Sequence, residues 1–399
     1  MLTRFRVNNF RSLLNTEFVP AGLNLLIGPN NAGKTNLSSA LRFLGLTSEH
    51  PLDSAIVTTV GERWNLTNFH APSNQDIELE ADCTLTYEGE TLRFSYILKI
   101  RARKGEVGDS QSLAVVGETL RASGGQFADT VLLKNEGGQS EMLHEEGFAQ
   151  NRPNSPYYVH ARVGTEATML CQLYELENNP RAILFRRYLR SWAYYNWSPD
   201  FLRSPDVARD AGCILSNGAN LSRALFALHN EKPRLEKRLI EISKVLEPRL
   251  DLFSFSSPDP QHVHLFVEDE AAHRISARGV SDGTLRFIAM AYVVLTADQG
   301  VNGSGFSPLI VIEEPENGLY VGHLKSLIER VDLDGKAGQF VFTSHSPYFI
   351  DLFDNNLAGI HVVKPGQPSS VLVKPDAEKM KRMLGEMPLG EMHFREILA

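Results

Sequence analysis

The chain has 399 residues, 42% of them apolar, and carries 40 Lys and Arg against 48 Asp and Glu, a formal net charge of −8. That length and apolar content give a large core and two or three domains, and ordinary Gly and Pro usage excludes a low-complexity or disordered chain. The acidic balance excludes a protein that coats nucleic acid over its whole surface, though not one with a local basic patch.

The segments LTRFRV (2–7) and GLNLLIG (22–28) read as strands, and after a glycine-containing turn Leu37, Leu41 and Leu44 recur at helical spacing. Between about 76 and 145, alternating segments broken by turn signals predict an antiparallel region, with a hairpin through YEGE and further strands in VVGETLRA and DTVLLKN. NRPNSPYYV (151–159) looks like a boundary. From 165 to 248 the period is helical, through TMLCQLYELE, RAILFRRYLRSWAYY and ANLSRALFALHNEKPRLEKRLIEISKVLEPRL. A strand pair, LFSFSS and HVHLFVED, precedes a helix starting near Ser281, a strand at 308–312, a helix near 321–331, the strand QFVFTS (339–344) and a mixed tail. The expected organisation is an N-terminal lobe over 1–150, a helical insertion over 151–250 and a C-terminal lobe over 251–399.

Cys83, Cys171 and Cys213 are odd in number and widely spaced, so they form neither a metal knuckle nor a disulfide framework, as in a reducing cytosol. The charged N-terminus lacks the apolar core of a signal peptide, and no segment approaches the roughly 20 apolar residues that cross a bilayer. A cytoplasmic location is expected.

GPNNAGKT, from Gly28 to Thr35, satisfies G-x-x-x-x-G-K-[ST] between a predicted strand and a predicted helix. Its glycines let backbone N–H groups turn inward, and the helix N-terminus adds positive potential. Lys34 is placed to reach the β- and γ-phosphates, and the Thr35 hydroxyl to ligate Mg²⁺. VIEEPENGLY (311–320) ends an apolar run in adjacent carboxylates, which repel each other and are costly to bury unless something positive is near. A metal–nucleotide site supplies it, with Glu313 as the acid on the Mg²⁺ side and Glu314 as the base for the attacking water. The next strand ends in Ser344 and His345, where His345 would hydrogen-bond the γ-phosphate and sense hydrolysis.

With these motifs the chain resembles the ABC-type ATPases of the SMC, RecF and OLD group. NNFRSL (8–13) is similar to that group's N-terminal strand and turn, in which a basic residue and a serine lie near the nucleotide, here Arg11 and Ser12. GPNNAGKTNL is similar to its phosphate loop, which adds Asn30, Asn31, Ala32, Gly33 and Asn36 to the nucleotide contacts that the resemblance implies. IEEPENGLY matches its acidic strand, with the catalytic glutamate at Glu314, and TSHSPYF its histidine switch. RGVSDGTLRFIAMA (278–291) resembles its signature, with Ser281 and Gly283 facing nucleotide. The resemblance implies an α/β P-loop NTPase of the ABC ATPase-head type, in two lobes with an antiparallel β-subdomain and an α-helical insertion. It also implies a head-to-head homodimer sandwiching two ATP molecules, in which the signature serine of one subunit completes the site of the other.

The signature reads VSDGT instead of LSGGQ or LSGGE, and the carboxylate pair is Glu-Glu instead of Asp-Glu, both OLD-like departures. Tyr320 stands where that branch often has His, and the candidate Q-loop glutamine on the metal side is Gln75, ahead of DIELEA. No long coiled coil separates the halves as in SMC relatives, and the tail after the switch is too short for the nuclease domain of OLD nucleases. DLDG (332–335) reads as a plain turn. RAILFRRYLRSWAYYNW interleaves Arg186, Arg187 and Arg190 with Tyr188, Trp192, Tyr194 and Trp197; it could stack bases but reads first as an amphipathic helix packed on a core. Lys99, Arg101 and Arg103 alternate along one strand face, read as solvated before it is read as a DNA contact.

The expected activity is hydrolysis of ATP to ADP and phosphate with Mg²⁺. By analogy, ATP-dependent dimerisation or higher assembly would regulate a separately encoded effector, a nuclease or toxin, in a bacterial antiphage-defence or toxin-like module. The alternative is a RecF- or SMC-like repair ATPase that binds DNA directly; contact with RNA stays open, and no membrane subunit is expected.

Overall fold

The computed structural model describes residues 1–62, 65–72, 74–102, 113–125, 127–145, 158–173, 179–204, 213–259, 262–297, 307–334 and 338–398. The chain divides into two compact units, each assembled from separated stretches. The first comprises Met1–Ala21, Gly28–Trp192 and His361–Lys374, and the second Gly22–Ile27, Ala193–Ile360 and Pro375–Ala399.

The first unit holds an eight-stranded antiparallel sheet of β1 (Leu2–Asn8), β2 (Thr16–Phe18), β4 (Ile77–Tyr87), β5 (Glu90–Ala102), β6 (Leu113–Gly124), β7 (Phe127–Glu136), β8 (Gln139–Leu143) and β9 (Tyr158–Arg162), in the order β2-β1-β4-β5-β6-β7-β8-β9. Period-two patterning buries Ile77, Leu79, Ala81, Cys83 and Leu85 of β4 on one face, and Leu92, Phe94, Tyr96, Leu98 and Ile100 of β5 beside them. The two strands meet through Glu88 and Gly89, both at positive φ (50° and 83°), as a two-residue hairpin turn demands. The helices Lys34–Thr47 and Pro180–Arg190 supply the other core layer, with Phe43 5.8 Å from Phe10 and Phe185 stacked 5.5 Å from Phe94. The antiparallel hairpin of β16 (Ile360–Lys364) and β17 (Val371–Val373) also belongs to this unit from His361 onward. Lys99 lies 3.1 Å from Glu78 and Arg101 2.8 Å from Asp76, so both cations are matched by carboxylates on β4 or just before it; Arg103 lies outside the described residues.

In the second unit β10 (Ala193–Tyr195), β14 (Leu309–Glu313), β15 (Gln339–Ser344) and β3 (Leu23–Ile27) run parallel as neighbours in that order. Every residue of β3, β14 and β15 is buried, which is why their sequences are near-continuous apolar runs without alternation. A separate antiparallel sheet is formed by β11 (Leu250–Asp259), β12 (His262–Asp269) and β13 (Arg274–Ser276). Among the described residues no helix is long and apolar enough to cross a membrane.

Three stretches gain detail or correction. RAILFRRYLRSWAYY is helical only to Arg190, because Ser191 caps the turn and the bulky Ala193–Tyr195 pairs with β14. Tyr188 and Trp197 are buried, Arg186 donates to the carbonyls of Ser48 and Cys171 (3.1 and 3.3 Å), and Arg190 pairs with Glu49 at 2.8 Å. These side chains serve packing, and the base-stacking alternative loses two of its aromatics. The helical stretch after Asn220 comprises two short helices, Leu221–Glu231 and Pro233–Ser243, parted at Lys232 where Pro233 opens the second. Finally, Asp332 and Asp334 of the expected DLDG turn lie in the helix Lys325–Asp334, and Gly335 falls outside the described residues.

Candidate active site

The parallel strands of the second unit end at one edge: Glu313 of β14 is in register with Thr343 of β15, and Ser344 of β15 with Ile27 of β3. Carboxyl ends of parallel strands are where open α/β sheets bind ligands. Glu313 is buried, and its Oε2 accepts a hydrogen bond from Asn196 Nδ2 at 3.2 Å. Glu314 follows at φ 44°, a left-handed backbone that costs a non-glycine residue free energy and recurs at functional positions. Its N–H donates to the Thr343 carbonyl at 3.0 Å. The turned carboxylate accepts from Asn317 Nδ2 at 2.8 Å, and its Oε1 lies 3.3 Å from His345 Nδ1. The two adjacent carboxylates therefore diverge: Glu313 faces the interior, while Glu314 is half-buried beside the histidine. Arg286, on the helix Asp282–Thr296, adds positive charge; burial lowers its pKa, and Asp282 and Glu314 pull it back up.

Glu316 was present in the sequence as a third carboxylate of the same segment, without a chemistry to single it out. It is buried, its Oε1 accepts from the Ser344 hydroxyl, and its Oε2 has no partner among the described residues. Burial raises its pKa, against the Ser344 hydrogen bond that lowers it. Ser344 Oγ in turn accepts from the N–H of Ser346 at 3.0 Å, so Glu316 ties the acidic segment to the histidine turn.

Ser281 caps the helix Asp282–Thr296: its Oγ accepts from Thr284 N–H at 3.1 Å and lies 2.8 Å from Thr284 Oγ1. Gly283 packs so closely on the turn after the acidic strand that a Cβ there would sit 2.4 Å from the Gly318 carbonyl oxygen. Arg203 secures the same helix start, donating to the Val280 carbonyl at 2.9 Å and pairing with Asp282.

In the first unit the loop Gly28–Thr35 leads into the helix Lys34–Thr47 through Gly33 at φ 108°. Lys34 is buried, and its Nζ donates to the loop carbonyls of Gly28 and Pro29 at 2.7 and 3.1 Å. Ala32 is buried, while Asn30, Asn31 and Thr35 are exposed. Asn36 Nδ2 donates to Ser12 Oγ at 2.6 Å, and Arg11, at φ 52°, donates its N–H to the Leu66 carbonyl at 2.8 Å. Gln75 is held by its backbone: its N–H donates to Pro72 O at 2.9 Å and its carbonyl accepts from Asn9 Nδ2 at 2.7 Å. The first unit thus gathers Arg11, Ser12 and the loop through Asn36. The second gathers Glu313, Glu314 and His345, and has Ser281 and Gly283 at the start of the helix Asp282–Thr296.

Among the described residues no group of three or more His, Cys, Asp or Glu could hold a metal alone. Mg²⁺ needs no such group, since it is commonly held by one or two carboxylates, a hydroxyl, substrate phosphates and water. Within its own unit each candidate is a donor of that kind: Thr35 of the first carries an exposed hydroxyl, and Glu313 of the second a buried carboxylate.

Residues 173–351 match a family model described as "AAA domain, putative AbiEii toxin, Type IV TA system". No curated protein matches the sequence. Among solved structures the chain is similar to an SMC head bound to the C-winged helix domain of ScpA, at 14% identity and a TM-score of 0.54, with 96% of this chain and 99% of that chain covered. The SMC head domain from Thermotoga maritima is similar at 13% identity and a TM-score of 0.44, with 94% and 99% covered. An SMC head with an extended coiled coil, bound to the C-terminal domain of ScpA derived from Pyrococcus furiosus, is similar at 12% identity and a TM-score of 0.47, with 96% and 98% covered.

Proposed function

We propose, for a chain that has the fold of an SMC/RecF-like ABC-type ATPase head, that it binds ATP with Mg²⁺ and hydrolyses it, and that ATP-driven assembly of two copies regulates a separate effector protein. The phosphates would lie on the loop Gly28–Thr35, with Lys34 exchanging its loop carbonyls for phosphate oxygens. Mg²⁺ would take the Thr35 hydroxyl and Glu313, with Gln75 as a further candidate. Glu314 would accept the proton of the attacking water, and His345 would contact the γ-phosphate. One observation carries this reading: the left-handed turn at Glu314 parts it from Glu313 and sets it 3.3 Å from His345. That divergence supports separate roles for two neighbouring carboxylates.

The effector half of the proposal is supported by the toxin–antitoxin description of the matching family model, and by an SMC head having been solved with a partner protein. The test is to purify the Glu314→Gln variant with ATP and identify what accompanies it. A stoichiometric nuclease or toxin supports effector control. DNA alone, together with DNA-stimulated turnover, would make the chain a RecF-like repair ATPase, a reading that the carboxylate-paired Lys99 and Arg101 do not favour.

A further inference from the structure

A C-terminal segment without any recognisable motif closes on the phosphate loop. The turn between β16 and β17 brings Ser370, which is buried, against Ser12: its N–H donates to the Ser12 carbonyl at 2.8 Å, and its hydroxyl to Ser12 Oγ at 2.7 Å. The same turn is held a second time, where Asn68 Nδ2 donates to the Pro368 carbonyl at 3.4 Å, and Asn68 N–H donates to Asn9 Oδ1 at 3.1 Å. Both serines lie directly over the last glycine of the loop: a Cβ on Gly33 would meet Ser370 Oγ at 2.3 Å and Ser12 Oγ at 2.9 Å.

Hydrogen-bond accounting then fixes the direction of one proton. A serine hydroxyl accepts twice and donates once. Ser12 Oγ accepts from Asn36 Nδ2 at 2.6 Å and from Ser370 at 2.7 Å, which uses both lone pairs and leaves its own O–H as a donor with no acceptor inside this cluster. A donor in contact with a phosphate loop suits an anionic oxygen. We infer that Ser370 is a positioning residue for the nucleotide: together with Asn36 it fixes the Ser12 hydroxyl as a donor to a phosphate oxygen, and so couples the β16–β17 turn to nucleotide binding. The inference rests on the nucleotide reading of the loop.

Equilibrium binding of ATP with Mg²⁺ to the full chain tests it, with Ser370→Ala, Ser12→Ala, the double variant and Lys34→Ala. Loss of one oriented hydrogen bond predicts binding weaker by about three- to ten-fold in Ser370→Ala, and no further loss when it is added to Ser12→Ala. A purely structural serine would give losses that multiply. In the wild-type chain, ATP should also slow hydrogen exchange of the Ser370 N–H, a readout that stands even if Ser370→Ala fails to fold. Wild-type affinity in Ser370→Ala, multiplying losses, or exchange indifferent to ATP each overturns the inference. If the wild type binds ATP and Lys34→Ala does not, such a result sinks the role of Ser370 alone; if the wild type binds no ATP, the nucleotide reading falls with it.

Discussion

Replacing Glu314 with Gln removes a carboxylate and little else. Gln keeps a carbonyl for Asn317 and the same backbone preference at φ 44°. The substitution alters the 3.3 Å contact with His345 Nδ1, between side chains 36% (Glu314) and 43% (His345) exposed, and solvent screening holds such a contact within about 1 kcal/mol. Stability should therefore barely change, whereas loss of a general base should slow turnover by about 10²- to 10⁴-fold. Steady-state phosphate release and urea unfolding of the same preparations report the two quantities. Two further substitutions isolate the backbone. Ala in the left-handed region costs about 1–2 kcal/mol. Gly avoids that cost but gives back about 0.5–1 kcal/mol in unfolded-chain entropy, so Glu314→Gly should be more stable than Glu314→Ala by up to about 1.5 kcal/mol, with both inactive. Wild-type turnover in the Gln variant would remove Glu314 as the base, and an Ala variant more stable than the Gly variant would refute the strained turn.

Glu118 is fully buried and accepts from Tyr96 and from the N–H groups of Met169 and Leu170; burial nevertheless pushes it up to about 6 from 4.5. The folded chain holds this proton the more tightly, so the stabilisation is complete below the unfolded value of 4.5 and is lost as pH rises through about 6. That gap corresponds to roughly 2 kcal/mol, and the melting temperature of Glu118→Gln should lack this fall between pH 4.5 and 6.5. Gly283→Ala forces the Gly318 carbonyl away from a 2.4 Å contact and should cost about 1–3 kcal/mol; an unchanged melting temperature would show that the turn is not seated there. Ser281→Arg should still bind ATP but form no ATP-dependent dimer in sedimentation experiments, and normal hydrolysis by this variant would contradict completion of the site from a second subunit.

What could be read from the chain was what neighbouring residues determine together. The buried strands β3, β14 and β15 announce themselves as apolar runs, β4 and β5 as alternation about a YEGE turn, and the phosphate loop as eight consecutive residues. What escaped depends on distant partners. Ala193–Tyr195 became a strand because β14, more than a hundred residues later, offered it an edge. Asn196 reaches Glu313 across 117 residues and Ser370 reaches Ser12 across 358, so neither carries a local pattern. Glu316 lay in plain view, but only its buried contact with Ser344 gives the third carboxylate a use.

The place of β3 has a consequence for how the molecule is made. Its residues belong to a sheet whose neighbour is synthesised far later: Asn24 donates to the Phe340 carbonyl across 316 residues. At about 5–20 residues per second, the strand leading into the phosphate loop waits roughly 15–60 s for its partner to emerge. Meanwhile β4 to β7 form from sequential hairpins, whose short loop closures allow them to fold early. A chain cut short before β15 would therefore carry the GPNNAGKT residues on an unpaired strand, with no histidine turn. The proposed nucleotide site would thus be complete only after β15 has been made, and products that end before it would lack that site.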